Sequence, residues 1–185
     1  MAPLISPSAK AVGFWSAVFA TVFSVVYVIG QLAEWLEWLG SAGGPKSLST
    51  PLGIVVLLTP SLFLGPSFLF LMLSVDYLTE PDRRIWSRAA AAFATVYTVL
   101  ISINYYVQLT WVMPRLAIGR TAGMEQFLFV PFDSFLYAVD ILGYSFMSVA
   151  TLLAAMALMD RSQRVACRFL VVNGLLLPFI ALQMY

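Results

Sequence analysis

The chain has 185 residues, is 61% hydrophobic and only 10% charged, and carries a net charge of +1. A soluble domain has roughly a quarter charged residues, whereas several runs here reach the ~20 apolar residues that cross a bilayer. The composition therefore predicts an all-α, polytopic membrane protein. The near-zero net charge excludes nucleic-acid binding through a basic surface.

Two residue types that carry much protein chemistry are almost missing. The chain has no histidine and one cysteine, Cys167. Histidine is the commonest metal ligand and the usual general base, and one cysteine can form neither an intrachain disulfide nor a CxxC motif. No lysine falls inside a predicted span, which excludes a retinal Schiff base. We therefore expect no cofactor and no bound metal.

Five apolar runs are predicted to cross the membrane as one helical bundle that covers residues 1–185. They lie at about 11–32, 52–75, 86–111, 131–159 and 167–184. Lys and Arg number seven on one predicted side and three on the other, which favours a cytoplasmic N terminus and an exterior C terminus. We expect an integral protein of a bacterial cytoplasmic membrane, with the lipid bilayer as its first partner.

The ends and interior of the first two spans carry local signals. Leu32, Trp35, Leu36 and Leu39 recur at helical spacing, with Glu34 and Glu37 off that stripe. We therefore expect the first helix to continue past its span into the headgroup region, with Trp35 and Trp38 in the aromatic belt. Thr50, followed by a proline, has the pattern of an N-cap before span 2. Pro60 and Pro66 inside span 2 each remove a backbone hydrogen bond, so we predict a kinked or locally unwound helix.

Span 3 differs at its two ends. It begins with the small residues 89–92 and Ala94, a face that would let another helix approach closely. Its end carries polar side chains in an otherwise apolar helix, at Asn104, Tyr105 and Gln108. The small-residue face suggests a packing surface, and the polar end suggests a pocket.

Span 4 carries two carboxylates, Asp133 and Asp140, in an apolar run. Seven residues apart, they lie on one helix face, which Tyr137 and Tyr144 extend. With Pro131 as the first helical residue, Asp133 falls in the first turn, where the helix dipole favours a carboxylate. Asp140 would lie ~13 Å beyond that start, where a charge costs at least ~2.5–3.5 kcal/mol. It must be protonated, paired, or facing a polar cavity.

These residues predict an outward-opening pocket with an acidic floor and aromatic walls. The candidate binding residues are Asp140, Asp133, Tyr137, Tyr144, Asn104, Tyr105, Gln108 and Gln31. Such a pocket suits a small cation or an amphipathic molecule. Equally, a neutral Asp140 bonded to a tyrosine or asparagine would serve as a link between helices. Asn173 in span 5 either joins the pocket or is a second such link.

Three functions remain open at this point. The first is a binder or carrier of a small cationic or amphipathic ligand, or a proton-coupled carrier, that uses Asp140. The second is a non-catalytic assembly subunit that contacts a membrane-protein partner or forms a homo-oligomer. The third is a lipid-modifying enzyme with Asp140 as general acid or base, which the absence of any catalytic motif makes the weakest of the three.

Overall fold

The computed structural model describes residues 6–41, 47–130, 132–159 and 164–182. These residues are mostly helical, and they contain no strand. The longer helices, in chain order, are α1 (Pro7–Trp35), α2 (Pro51–Leu78), α3 (Arg84–Val107), α4 (Met113–Ala117), α5 (Phe135–Ala157), α6 (Arg164–Gly174) and α7 (Leu177–Leu182). A π-helical turn, Gln108–Val112, joins α3 to α4. Four helices, with Pro81–Ala117 taken as one, are long and apolar enough to cross a membrane.

Most of the packing joins helices that are neighbours in the bundle. α1 packs on α2, α2 on α3, and α3 on α5, while α6 and α7 lie against α5. The described parts of α1 and α5 make no extended contact with each other. Ala90 and Ala94 of α3 are fully buried inside this bundle. The small-residue face of span 3 is therefore used, at these two positions, for packing within the chain itself.

α1 ends at Trp35 and does not continue as predicted. Glu37 adopts a left-handed conformation with φ of 63°. Its N–H donates to the Glu34 carbonyl, and the Trp38 N–H donates to the Ala33 carbonyl, each at 2.9 Å. This is a Schellman arrangement, which satisfies the last carbonyls of a helix and turns the chain away. Local capping therefore overrides an apolar spacing that would suit a longer helix.

α2 runs as an α-helix through both internal prolines. Its N-cap is Thr50, as predicted, and the helix is continuous at Pro60 and Pro66, so the predicted alternative of local unwinding is wrong. The Ser61 hydroxyl donates to the Leu57 carbonyl at 3.0 Å, beside the position from which Pro60 removes a donor. That carbonyl is also the intrahelical partner of the Ser61 N–H, whereas Pro60 removes the donor to the Val56 carbonyl.

α5 begins at Phe135, four residues later than the predicted start at Pro131, which lies outside the described residues. The N-cap is Ser134, whose side chain accepts the N–H three residues further on. Asp133 therefore precedes the helix and is exposed, rather than lying in its first turn. Asp140 lies only ~7.5 Å from the helix start instead of ~13 Å.

The third and fifth predicted spans also differ from the structure. The helix of span 3 continues beyond residue 111, through the π-helical turn, to Ala117. Residues 167–182 form parts of two short helices instead of one, and residues 183–184 lie outside the described part. The break follows Asn173 and Gly174, both weak helix formers, and Pro178 sits at the second position of α7.

Candidate ligand-binding cavity

A cavity of about 640 Å³ lies between α1 and α5, near the end of α1 and the start of α5. This volume is typical of small-molecule sites. α1 contributes Tyr27, Gln31, Glu34 and Trp35; α5 contributes Tyr137, Asp140, Ile141 and Tyr144; the other lining residues are Leu57, Phe129, Val130, Phe132 and Ile180. Because α1 and α5 pack on different neighbours, the space between them is left unfilled.

The polar lining residues follow the helical period on both walls. They recur at i, i+4, i+7 on α1 and at i, i+3, i+7 on α5, and are respectively Tyr27, Gln31 and Glu34, and Tyr137, Asp140 and Tyr144. Each set covers one helix face over ~10 Å. Two amphipathic stripes from separate helices therefore meet across one cavity.

Asp140 is 5% exposed and is held from behind by α3. Asn104 Nδ2 donates to Asp140 Oδ1 at 3.3 Å and to the Leu136 carbonyl at 3.0 Å. The Tyr105 hydroxyl donates to Tyr144 Oη at 3.2 Å and also lies within hydrogen-bond reach of Asp140. Neutral donors thus orient the carboxylate, while its cavity side stays available to a ligand.

Glu34 is a second buried carboxylate in the cavity, with 7% of its surface exposed. The Ser47 hydroxyl donates to Glu34 Oε1 at 2.8 Å and is itself bonded to the Ser41 hydroxyl at 2.9 Å. Among the described residues, neither Glu34 nor Asp140 has a Lys or Arg partner. Within the part of the chain that the structure describes, these two acidic groups have no countercharge.

One end of the cavity is formed by the segment 127–130, which is fixed from two sides. The Ser49 hydroxyl donates to the Val130 carbonyl and accepts the Val130 N–H, both at 2.9 Å. Gln108 Nε2 donates to the Phe127 carbonyl at 2.6 Å. The α1–α2 connection and the π-helical turn together hold this wall in place.

The eight predicted binding residues fall into two groups. Four line the cavity: Asp140, Tyr137, Tyr144 and Gln31. Four do not: Asn104 and Tyr105 lie behind it, Gln108 supports segment 127–130, and Asp133 is exposed. The side-chain oxygens of Asn104 and Gln108 are buried without a hydrogen-bond partner in the described structure.

Sequence reasoning missed Tyr27, Glu34 and three rings of the wall: Trp35, Phe129 and Phe132. Glu34 was placed at the headgroups because it lies off the apolar stripe of α1. Its spacing from Gln31 and Tyr27 was the signal that could have found it. Asn173 accepts a hydrogen bond from the Thr151 hydroxyl at 3.3 Å, so it links α6 to α5 and does not line the cavity.

The fold and this cavity define a class: a helical bundle with four candidate membrane-spanning helices and an acidic, aromatic-walled internal cavity. No protein-family model matches the chain, and no curated protein or solved structure is significantly similar to it. Across the described residues, no three His, Cys, Asp or Glu side chains are grouped to hold a metal. The function is therefore argued from the cavity alone.

Proposed function

We propose that the protein is a membrane-embedded binder or carrier of a small organic or amphipathic cation. One observation carries this proposal: Glu34 and Asp140 are buried on opposite walls of one cavity and have no cationic partner among the described residues. Burying an unpaired ion costs several kcal/mol, so buried charges are normally paired. A cationic ligand would supply the missing charge.

The remaining lining residues support an organic ligand. Aromatic rings attract ammonium groups by cation–π interaction, and apolar side chains accommodate hydrocarbon. The rings are Tyr27, Trp35, Tyr137, Tyr144, Phe129 and Phe132, and the aliphatic side chains are Leu57, Val130, Ile141 and Ile180. Exchange of the cation for protons on the same carboxylates would make a carrier proton-coupled.

Calorimetry on the protein in lipid nanodiscs, with a linear alkylammonium ion as the probe, tests this proposal. Asp140→Asn is expected to weaken binding at least 30-fold, or about 2 kcal/mol, because it removes one partner of a buried charge pair. Asp133→Asn is the matched control. It neutralises an exposed aspartate outside the cavity and should leave the affinity unchanged.

The absence of alkylammonium binding by the wild-type protein would overturn the proposal, and so would wild-type affinity in Asp140→Asn. If Asp140→Asn does not fold, the wild-type measurement still decides.

An assembly subunit remains the alternative function. The small residues of span 3 give this alternative little support, because Ala90 and Ala94 pack inside the bundle and are not available to a partner. In its favour, α1 exposes the rings of Phe14, Trp15 and Phe19. Co-purification of a defined partner in mild detergent would favour it. A lipid-modifying enzyme is the least supported function, because the sequence contains no recognisable catalytic motif to accompany Asp140.

We further propose that α6 and α7 together form a broken fifth crossing, which gives the N-inside, C-outside topology in a bacterial cytoplasmic membrane. Both helices pack against α5. Arg164 and Arg168 lie in the first half of α6, at the end of the helix that the charge count assigns to the cytoplasm.

A further inference from the structure

We infer that the ligand is an organic dication, a linear α,ω-diamine or polyamine, bound with one ammonium group at Glu34 and another at Asp140. This inference rests on the proposed function and specifies its substrate class. It starts from a charge count. Among the described residues, the cavity lining contains two carboxylates and neither Lys nor Arg. A monocation would leave one of the two buried acids without a positive partner, whereas a diamine neutralises both.

The hydrogen bonds around the two carboxylates suit two ammonium groups. Glu34 Oε1 accepts from the Ser47 hydroxyl, and Asp140 Oδ1 accepts from Asn104 Nδ2. A carboxylate offers about four lone-pair sites, and a primary ammonium has three N–H donors. Each acid therefore keeps acceptor capacity for a ligand after its protein bonds are made. Charge-assisted bonds of this type are the strong ones.

Aromatic rings line both walls of the cavity. Tyr27 and Trp35 line it from α1, the helix that carries Glu34. Tyr137 and Tyr144 lie about one turn before and after Asp140 on the same face of α5. Rings on both walls are thus available to add cation–π contacts to the two ion pairs.

The groups that complete the cavity are hydrocarbon rather than further oxygen ligands. Leu57, Ile141 and Ile180 are available to contact the methylenes between two ammonium groups. A metal dication fits less well, because Ca²⁺ takes six to eight oxygen ligands and Mg²⁺ a near-octahedral set. The described residues contain no group of three acidic side chains that would begin such a set.

The test compares a length series of linear α,ω-diaminoalkanes with n-alkylamines of equal carbon number, by calorimetry on the full chain in nanodiscs. The best diamine should bind at least about tenfold more tightly than its matched monoamine, with an optimum at one chain length. Glu34→Gln should reduce diamine affinity to that of the monoamine and leave monoamine binding at Asp140 intact. Glu37→Gln, which neutralises an exposed glutamate outside the cavity, should keep the diamine preference.

The outcomes separate this inference from the proposed function. Equal binding of diamines and monoamines would overturn the dication and leave the cation binder standing. If neither amine binds, the proposed function itself fails. Diamine preference retained in Glu34→Gln would overturn the assignment of the second ammonium group to Glu34. If Glu34→Gln does not fold, the wild-type series decides, because a dication held between two acids requires a length optimum.

Discussion

Gly143 has no side chain, and this allows α3 and α5 to pack closely beside the cavity. A Cβ atom built on Gly143 would lie 2.9 Å from Ile101 Cδ1 and 3.1 Å from Ile101 Cγ1. Ile101 is fully buried, so it has little room to move. Asp140 and Tyr144 lie on the same helix, within one turn of Gly143. A larger residue at this position would therefore displace the wall that carries them.

We expect Gly143→Ala to lower the free energy of unfolding by about 1–3 kcal/mol, the usual range for overpacking a core. This loss would appear despite the gain in helix propensity of about 1 kcal/mol. Titration with SDS, followed by helical circular dichroism, measures it. In the matched control Gly65→Ala, the new Cβ lies 3.5 Å from Thr98 Cγ2, an ordinary contact. Equal stability of the two variants would contradict tight packing at Gly143.

At the scale of elements, the cavity wall 127–130 depends on the short connection between α1 and α2. Ser49 bonds to both main-chain groups of Val130, as a neighbouring strand would. Val130 is buried, so water cannot easily replace these bonds. Segments 81 residues apart in the chain are thereby joined through one hydroxyl group.

Ser49→Ala should release this wall. Both Val130 groups lose their partner, and a buried group left unpaired costs about 1–3 kcal/mol. Hydrogen exchange measured by mass spectrometry should show faster exchange over residues 128–130, together with weaker ligand binding. Ser67→Ala is the control, because the Ser67 hydroxyl donates only to the Phe63 carbonyl within α2. Unchanged exchange in Ser49→Ala would show that the wall is held by other contacts.

At the scale of the whole molecule, the number of membrane crossings determines where the C-terminal helices lie. Four helices meet the length and composition for crossing, and α6 with α7 would be the fifth. The four-crossing and five-crossing topologies place Leu182 on opposite sides of the membrane. With five crossings Leu182 lies on the same side as the loop at Thr121, and with four it lies on the side of Glu80.

Single-cysteine labelling in a Cys167→Ser background distinguishes these topologies. A membrane-impermeant maleimide applied to intact cells should label Thr121→Cys and Leu182→Cys, and should label Glu80→Cys only after permeabilisation. Glu80 and Thr121 lie in connecting segments, and Leu182 is the last residue of α7. All three are exposed. Labelling of Leu182→Cys together with Glu80→Cys would contradict the fifth crossing. Labelling of Glu80→Cys in intact cells would contradict the orientation.

Local sequence signals predicted part of the geometry around the cavity. Helical spacing placed Tyr137, Asp140 and Tyr144 on one face, and the structure brings all three to the cavity. The same reasoning misplaced Asp133, because Pro131 and Ser134 are both plausible helix starts only three residues apart. The Ser134 cap is the start observed, which leaves Asp133 outside the helix.

The sequence alone determined the helical class and the candidate membrane-spanning segments, since composition and long apolar runs decide how a chain partitions into lipid. It also determined which residues share a face within each helix, because that depends only on the helical repeat. Only the tertiary structure paired Glu34 with Asp140. The two residues lie on helices that make no extended contact with each other, and the order of helices within a bundle depends on packing between side chains far apart in the chain.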